Sequence, residues 1–361
     1  MNNTAGSYAL LKAQVSQDST VAAKLRQAGP VILGKTDIAQ CAACRGTNSS
    51  AGWSAYYGGQ TVGAYYPNQS PSGSSSGSGV ATSIGLVWAS LGTETSGSIT
   101  LPSEVNNIVG IKPTVGLTSR YLVVPISEHQ DTVGPMARTV KDAAHLLSAI
   151  DIRIPDSANY SIETFDSAVD ILKSAGAEIV DDIILPDFLV NLETYLSELT
   201  WNPQNISTLA QLRQWTQQDP REEYPEHNTD AWDMLLARGL RNTGPEFWAI
   251  YTRSQHLAGE LGYSGAIKNY SLHAIVLPTK HPDDTSIVKD EIGNLDILAP
   301  NLPFGIGCAG APFSEETLVG IAYDFEQQTQ DLKAIMPFVK PVTEFGTKIE
   351  RKQSLLYTRD L

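Results

Sequence analysis

Residues 70–138 read SPSGSSSGSGVATSIGLVWASLGTETSGSITLPSEVNNIVGIKPTVGLTSRYLVVPISEHQDTVGPMAR. Two small-residue loops, 72–79 and 93–98, bracket the apolar segment 80–91, which is long enough for a helix that turns into a buried strand. Glycine and serine supply little packing and glycine costs conformational entropy, so this density beside a core strand predicts close backbone approach to a ligand. Crowded N–H groups suit an anion or a developing oxyanion.

Within this stretch, Gly73-Ser74-Ser75-Ser76-Gly77 matches GxSxG, the nucleophile elbow of α/β-hydrolases, with Ser75 as the nucleophile. An elbow follows an apolar strand directly, whereas residues 65–71 are polar and carry Pro67 and Pro71, so that reading fails. A P-loop match at 29–36 fails as well, because its interior, Pro30-Val31-Ile32-Leu33, is itself the expected strand. The second loop is the better seat for a nucleophile. It follows the apolar residues 86–91, which puts Ser98 at a strand end, and the N–H groups of Thr95, Ser96, Gly97 and Ser98 can converge on one oxygen.

The motifs Arg45-Gly46, Gly52-Trp53-Ser54, Gly58-Gly59-Gln60, Gly92-Thr93-Glu94-Thr95, Pro125-Ile126-Ser127 and Gln130-Asp131-Thr132 accompany the long 70–138 match. Together they resemble the amidase signature family, in its peptide-amidase-like branch. The resemblance runs from about residue 3 to 150 and returns at 273–279 and 301–326. It implies an α/β fold with a mixed β-sheet flanked by helices, and a hydrolase of carboxamides with a Ser, Ser, Lys triad. Ser98 is then the nucleophile and Ser74 the bridging serine, in a cis peptide with Gly73. Thr95, Ser96, Gly97 and Ser75 form the oxyanion and substrate-binding set. No metal or cofactor is implied, and the partner is a small-molecule amide.

In that family the proton passes from the bridging serine to a neutral lysine upstream of the segment matched here by Asn3-Thr4-Ala5-Gly6-Ser7, which would fall before Met1. The chain as given is therefore expected to hydrolyse amides slowly or not at all. The alternatives are a pseudoamidase or ligand-binding protein, and a truncated form of an active amidase. Lys35 and Lys112 lie inside matched motifs but are not the family base. Lys12, in a segment that reads as helix, is the nearest substitute. His129 is expected near the site in a structural or substrate-lining role. Thr100 stands where many relatives carry Arg, and Ser96 where they carry Gly or Asp, so the polar support around Ser98 is expected to be thin.

The remaining chain fits one amidase-like domain over 1–361, with 1–150 and 273–336 as the signature core and 151–272 as a shortened helical region. Asp18 and Ser19 offer an N-cap for a helix that stops at Gly29, and 31–33 reads as a short strand. The long loop 46–70, with four tyrosines, reads as either a pocket wall or a packed surface loop. Residues 37–45 read as a short helix carrying Cys41 and Cys44. With only three cysteines in the chain and no second pair at zinc spacing, these read as small buried side chains. A helix is expected over 161–175 and a strand over 177–180, followed by polar helices to about 261. Strands are expected at 273–279 and 303–310, and a charged segment over 283–296. A helix capped by Ser314 should run through Phe325, with a frayed end after 348.

Composition limits the function. A chain of 361 residues with 42% apolar content can build a sizeable core. A net charge of −14 without a local basic run argues against nucleic acid as a partner. No apolar run reaches the roughly 18 residues of a membrane span, and no signal-peptide pattern opens the chain, so a cytosolic protein is expected. Against this, Asn2, Asn48, Asn68, Asn159, Asn205 and Asn269 each begin an Asn-x-Ser/Thr triplet, which points to a longer secreted form as the alternative.

Overall fold

The structure, a computed structural model, describes residues 1–48, 50–56, 59–152, 184–260, 262–278, 305–329 and 336–339. In chain order the elements are β1 (Gln14–Val15), α1 (Thr20–Ala28), β2 (Trp53–Ser54), β3 (Gly59–Gln60), α2 (Ser76–Ser83), β4 (Ala89–Glu94), α3 (Thr100–Val105), β5 (Val109–Gly110), β6 (Thr132–Ala137) and α4 (Val140–Ile150). There follow α5 (Ile184–Ser197), β7 (Leu199–Trp201), α6 (Leu209–Gln218), α7 (Asp230–Arg238), α8 (Pro245–Ala258), α9 (Tyr263–Asn269), β8 (Ile275–Pro278), β9 (Ile306–Ala309) and α10 (Glu315–Thr329).

The central ladder has the order β4-β6-β5. All six residues of β6 are buried, and β4 pairs with it antiparallel from Ala89↔Ala137 to Glu94↔Thr132. Every ladder among the described residues is antiparallel, so the mixed sheet implied by the resemblance is represented here by its antiparallel part. Helices α2, α3 and α4 pack on this ladder, and α1 and α10 lie against α4. The result is a helix-flanked α/β frame.

Its local logic follows the sequence in most places. Helix α1 is capped by Ser19, whose side chain accepts from Ala22 N, and it ends at Gly29 in the left-handed region at φ 96°. Helix α10 begins at Glu315 and runs four residues past the expected end, to Thr329. Segment 80–91 divides as expected into helix and strand, but α2 starts earlier, at Ser76, inside the Gly/Ser loop. Gly77 is obligatory there, since a Cβ would lie 2.6 Å from both the N and O of Asp37.

Two local expectations are corrected. Residues 31–33 are not a strand: no described segment pairs with them, and Val31 and Leu33 are 82% and 71% exposed. A strand needs a ladder partner, which local β-propensity cannot supply. Residues 37–45 hold only a short, kinked 3-10 turn, Gln40–Ala43, in which Cys41 and Ala42 have positive φ. Both cysteines of that segment are buried, and burial pushes the Cys44 thiol up to about 12 and raises Cys41 as well, so neither offers a thiolate near neutral pH. The helix expected at 161–175, the strand at 177–180, the charged segment at 283–296 and the end after 348 lie outside the described residues.

A buried ion pair joins the N-terminal segment to the helical region. Arg45 and Glu222 are both fully buried and pair at 3.2 Å. Glu222 also accepts from Ser7 Oγ, Tyr8 N and Gln40 Nε2, while Arg45 Nη2 donates to the carbonyls of Glu222 and His227. The guanidinium lies 5.2 Å from the centroid of the Trp53 ring, which stacks on His227. These partners let the pair tolerate burial, although Arg45 Nε has no hydrogen-bond partner among the described residues; without one member of the pair, the other charge is stranded. Glu222→Ala should therefore lower unfolding free energy by about 3–5 kcal/mol, as measured by urea denaturation. A loss below 1 kcal/mol on the same scale would show that the pair does not join these segments.

Candidate active site

The two Gly/Ser loops come together because their hydroxyls tie helix α2 to strand β4. Ser75 N donates to Ser98 O at 3.1 Å, and Ser75 Oγ donates to Thr93 O and accepts from Thr93 N. Further along, Ser78 Oγ donates to Leu91 O, Ser90 Oγ donates to Ser78 O, and Thr82 and Ser90 share a hydroxyl contact at 2.8 Å. Much of the serine content that suggested an anion cradle thus forms cross-ties. Gly92 is needed at this junction, where a Cβ would lie 2.8 Å from Ser75 Oγ.

Ser74 and Ser98 line the same cavity, of about 290 Å³. The Gly73–Ser74 peptide is cis, as the resemblance implies, and Ser74 O accepts from Ala39 N at 3.0 Å. Ser74 is 1% exposed, and its Oγ has no hydrogen-bond partner among the described residues, Ser98 included. No hydrogen bond to a described residue engages the N–H groups of Thr95, Ser96 or Ser98.

The remaining expected donors are already engaged. Gly97 N donates to Glu94 Oε1, and Ser75 N is held by Ser98 O, so neither of these N–H groups is open to a substrate oxygen. The buried Glu94 was unremarked as a site residue, yet its carboxylate holds the whole turn. It accepts from Gly97 N and Ile99 N at 2.7 Å, from Thr100 N at 2.9 Å and from the Thr100 hydroxyl. Thr100 therefore supports the loop through its N–H and hydroxyl, in the position where thin support was expected.

Asp131 carries the turn's register to the opposite wall. Its Oδ1 accepts from Thr95 Oγ1 at 2.6 Å, and its Oδ2 accepts from the N–H groups of Ile126 and Ser127. Burial raises its pKa above the usual carboxylate range, against the pull of these hydrogen bonds. Residues 121–126 form an apolar part of the cavity lining beside Arg120, and Asn191, Thr194 and Tyr195 of α5 also line it. None of the described residues of loop 46–70 lines the cavity; Asp37 ties that loop down through Ser54 and Thr61.

His129 lies just outside the lining. Its Nδ1 meets Asp187 Oδ2 at 2.8 Å, the oxygen that also accepts from Ser127 Oγ, and its ring packs 4.3 Å from that of Tyr251. The Asp187 hydrogen bond holds the imidazole pKa above its ordinary value, against burial. Glu128, His129 and Asp187 bring their donor atoms within 4.8 Å of one another, the one such grouping that could hold a cation among the described residues. Its closest contact is already the His129–Asp187 bond. As for the lysines, Lys12 is exposed in a positive-φ turn, where a helix was expected. Lys35 Nζ donates to Asn3 Oδ1, and Lys112 Nζ to Gln130 O.

A buried hydroxyl pair beside a turn of open N–H groups is the kind of pocket that serine-based acyl transfer requires. The profile of the Amidase family matches residues 1–175. A protein of Arthroderma benhamiae that carries the name amidase is 42% identical over 421 residues, spanning 95% of this chain and 71% of that protein. An amidase-named protein of Arabidopsis thaliana is 34% identical over 389 residues, spanning 91% and 74%. The crystal structure of the peptide amidase of Stenotrophomonas maltophilia superposes with a TM-score of 0.75 at 31% identity, over 91% of this chain and 80% of that one. The chain belongs to the amidase family, and its fold is the amidase-signature α/β fold. No helix among the described residues is long and apolar enough to cross a membrane.

The His129–Asp187 bond predicts a pH dependence. Since the folded-state pKa of His129 lies above the ordinary value of about 6.5, protonated His129 contributes stability fully below that value, and the contribution is lost as pH rises through the raised pKa. The stability difference between the wild type and His129→Phe should therefore be largest near pH 5.5 and shrink by pH 8.5, by urea denaturation at each pH. A difference that does not change with pH would mean that His129 acts by packing alone.

Proposed function

We propose that this protein hydrolyses small carboxamides through an acyl-enzyme on Ser98. The observation that carries the reading is that Ser74, Ser98 and Thr95, whose N–H group is open, line one cavity. Ser98 Oγ attacks the amide carbonyl carbon as its proton passes to Ser74 Oγ, whose own hydroxyl proton is handed on to the departing amine nitrogen. The carbonyl oxygen, now negative, takes hydrogen bonds from the 95–98 turn, with Glu94 holding that turn in place. The C–N bond then breaks, the amine leaves with a proton, and an ester to Ser98 remains. Water attacks the ester and releases the acid. No metal or cofactor enters this scheme. The name of the Stenotrophomonas maltophilia relative makes peptide amides a natural substrate to try beside simple aryl amides.

One observation favours a second reading. Ser74 Oγ is buried without an acceptor among the described residues, so the relay lacks a described group to take its proton. A pseudoamidase or ligand-binding protein that holds a carboxamide without turning it over fits that gap. The same gap predicts slow turnover by the 361-residue chain, because a general base contributes about 100- to 10,000-fold and groups acting as a relay are not additive.

The test is turnover of aryl and peptide amides by the chain as given, by Ser98→Ala and Ser74→Ala, and by a form with a lysine-bearing N-terminal segment. Hydrolysis by the chain should be slow and should disappear in Ser98→Ala, and the added lysine should raise kcat by about 100-fold or more. Fast Ser98-dependent turnover by the chain itself would mean that a group already within these 361 residues serves as base. Amide binding without turnover, with or without the added lysine, would favour the second reading. Turnover retained by Ser98→Ala would overturn the nucleophile.

A further inference from the structure

The chain contains fifteen asparagines, six of which begin an Asn-x-Ser/Thr triplet. Twelve of the fifteen lie among residues whose burial is described, and they divide sharply. The five in triplets, Asn2, Asn48, Asn68, Asn205 and Asn269, are all exposed, and the other seven are all half-buried or buried. An asparagine that must carry a bulky, hydrophilic oligosaccharide in the folded state has to lie at the surface, whereas an ordinary asparagine has no such requirement. The hydroxyl two residues on must also be reachable while the chain is modified, and in none of the five is that residue buried.

Side-chain hydrogen bonds separate the five further. Asn2 Nδ2 donates to Tyr56 OH, and Asn48 Nδ2 donates to Glu226 O while its Oδ1 accepts from Asn228 N. No hydrogen bond to a described residue engages the side chains of Asn68, Asn205 or Asn269. The left-handed backbone at Asn68 and Asn205, with φ of 58° and 51°, suits asparagine for its own sake. It does not account for the serine two residues later at either position, nor for Asn269, which closes helix α9. None of the three lines the cavity, so a glycan at any of them leaves the pocket open.

We propose that this protein is N-glycosylated, with its acceptor amides at Asn68, Asn205 and Asn269. The donor is an oligosaccharide linked to a lipid diphosphate. The asparagine Nδ2 forms a bond to sugar C1 as the C1–O bond to the diphosphate breaks, and the amide loses one proton. This chemistry belongs to the secretory lumen, and it accounts for a triplet pattern that amide hydrolysis leaves unexplained.

The test is peptide mapping of the protein isolated from its own cells, treated with a peptide-N-glycosidase in ¹⁸O-water, which converts each glycosylated asparagine to labelled aspartate. Label is expected at Asn68, Asn205 and Asn269. In parallel, the full chain is directed into the endoplasmic reticulum of a eukaryotic host, and the membrane fraction is analysed so that retained, misfolded chains are counted. Asn68→Gln, Asn205→Gln and Asn269→Gln should each remove one glycosidase-sensitive mobility step there, and the triple variant should remove three. Absence of label at all three positions in the native protein, or label confined to Asn2 and Asn48, would overturn the proposal.

Discussion

The carboxylate of Glu94 is the constraint on which the candidate site depends. A turn that presents several N–H groups to one point is unstable in isolation, because its donors lose water and gain no partner. Glu94 resolves this by accepting the Gly97, Ile99 and Thr100 N–H groups, whereas no hydrogen bond to a described residue engages those of Thr95, Ser96 and Ser98. The buried carboxylate therefore sets both the shape of the turn and which donors stay open. Its position at the end of β4 is in turn set by the ladder with β6, whose residues are all buried.

From that turn a chain of hydrogen bonds runs outward. Thr95 meets Asp131, Asp131 holds the N–H groups of Ile126 and Ser127, Ser127 donates to Asp187 on α5, and Asp187 orients His129 against the aromatic side chain of Tyr251 on α8. The wall of the cavity and the helical region are thus joined to the nucleophile turn by polar contacts, while Arg45 and Glu222 join the N-terminal segment to the same helical region. A substrate touching residues 120–126 would be felt at Ser98 through Asp131. In the proposed reaction, this is how a remote acyl group could position the carbonyl.

Much of this was legible in the sequence wherever the cause is local. Ser19 and Gly29 delimit α1 through capping and a left-handed stop, the change from small to apolar residues marks α2 and β4, and the 70–138 match singled out Ser74 and Ser98, which line one cavity. What was not legible depended on distant partners. Residues 31–33 have strand-forming side chains but no described neighbour, and Ser75 and Gly97 have N–H groups whose availability depends on Ser98 O and Glu94. Glu94 and Asp131 stood inside quoted motifs, yet their partners are mostly backbone N–H groups, which carry no side-chain signature. Asp187 lies 58 residues from His129, and no spacing rule links them. The signal that could have found Glu94 is physical: an acidic residue at the end of a buried strand, just before a small-residue turn, needs several donors close by.

The central claim is that Ser98, and not Ser75 or Ser74, receives the acyl group, with the oxygen facing the open side of the 95–98 turn. The most direct measurement is a crystal structure of the chain after reaction with a carbonyl-mimicking phosphonate. The account predicts a covalent bond from Ser98 Oγ to phosphorus and a phosphonate oxygen about 2.7–3.1 Å from the Thr95 or Ser96 nitrogen. A bond to Ser75 or Ser74, or a Ser98 adduct whose oxygens all point away from those nitrogens, would contradict it.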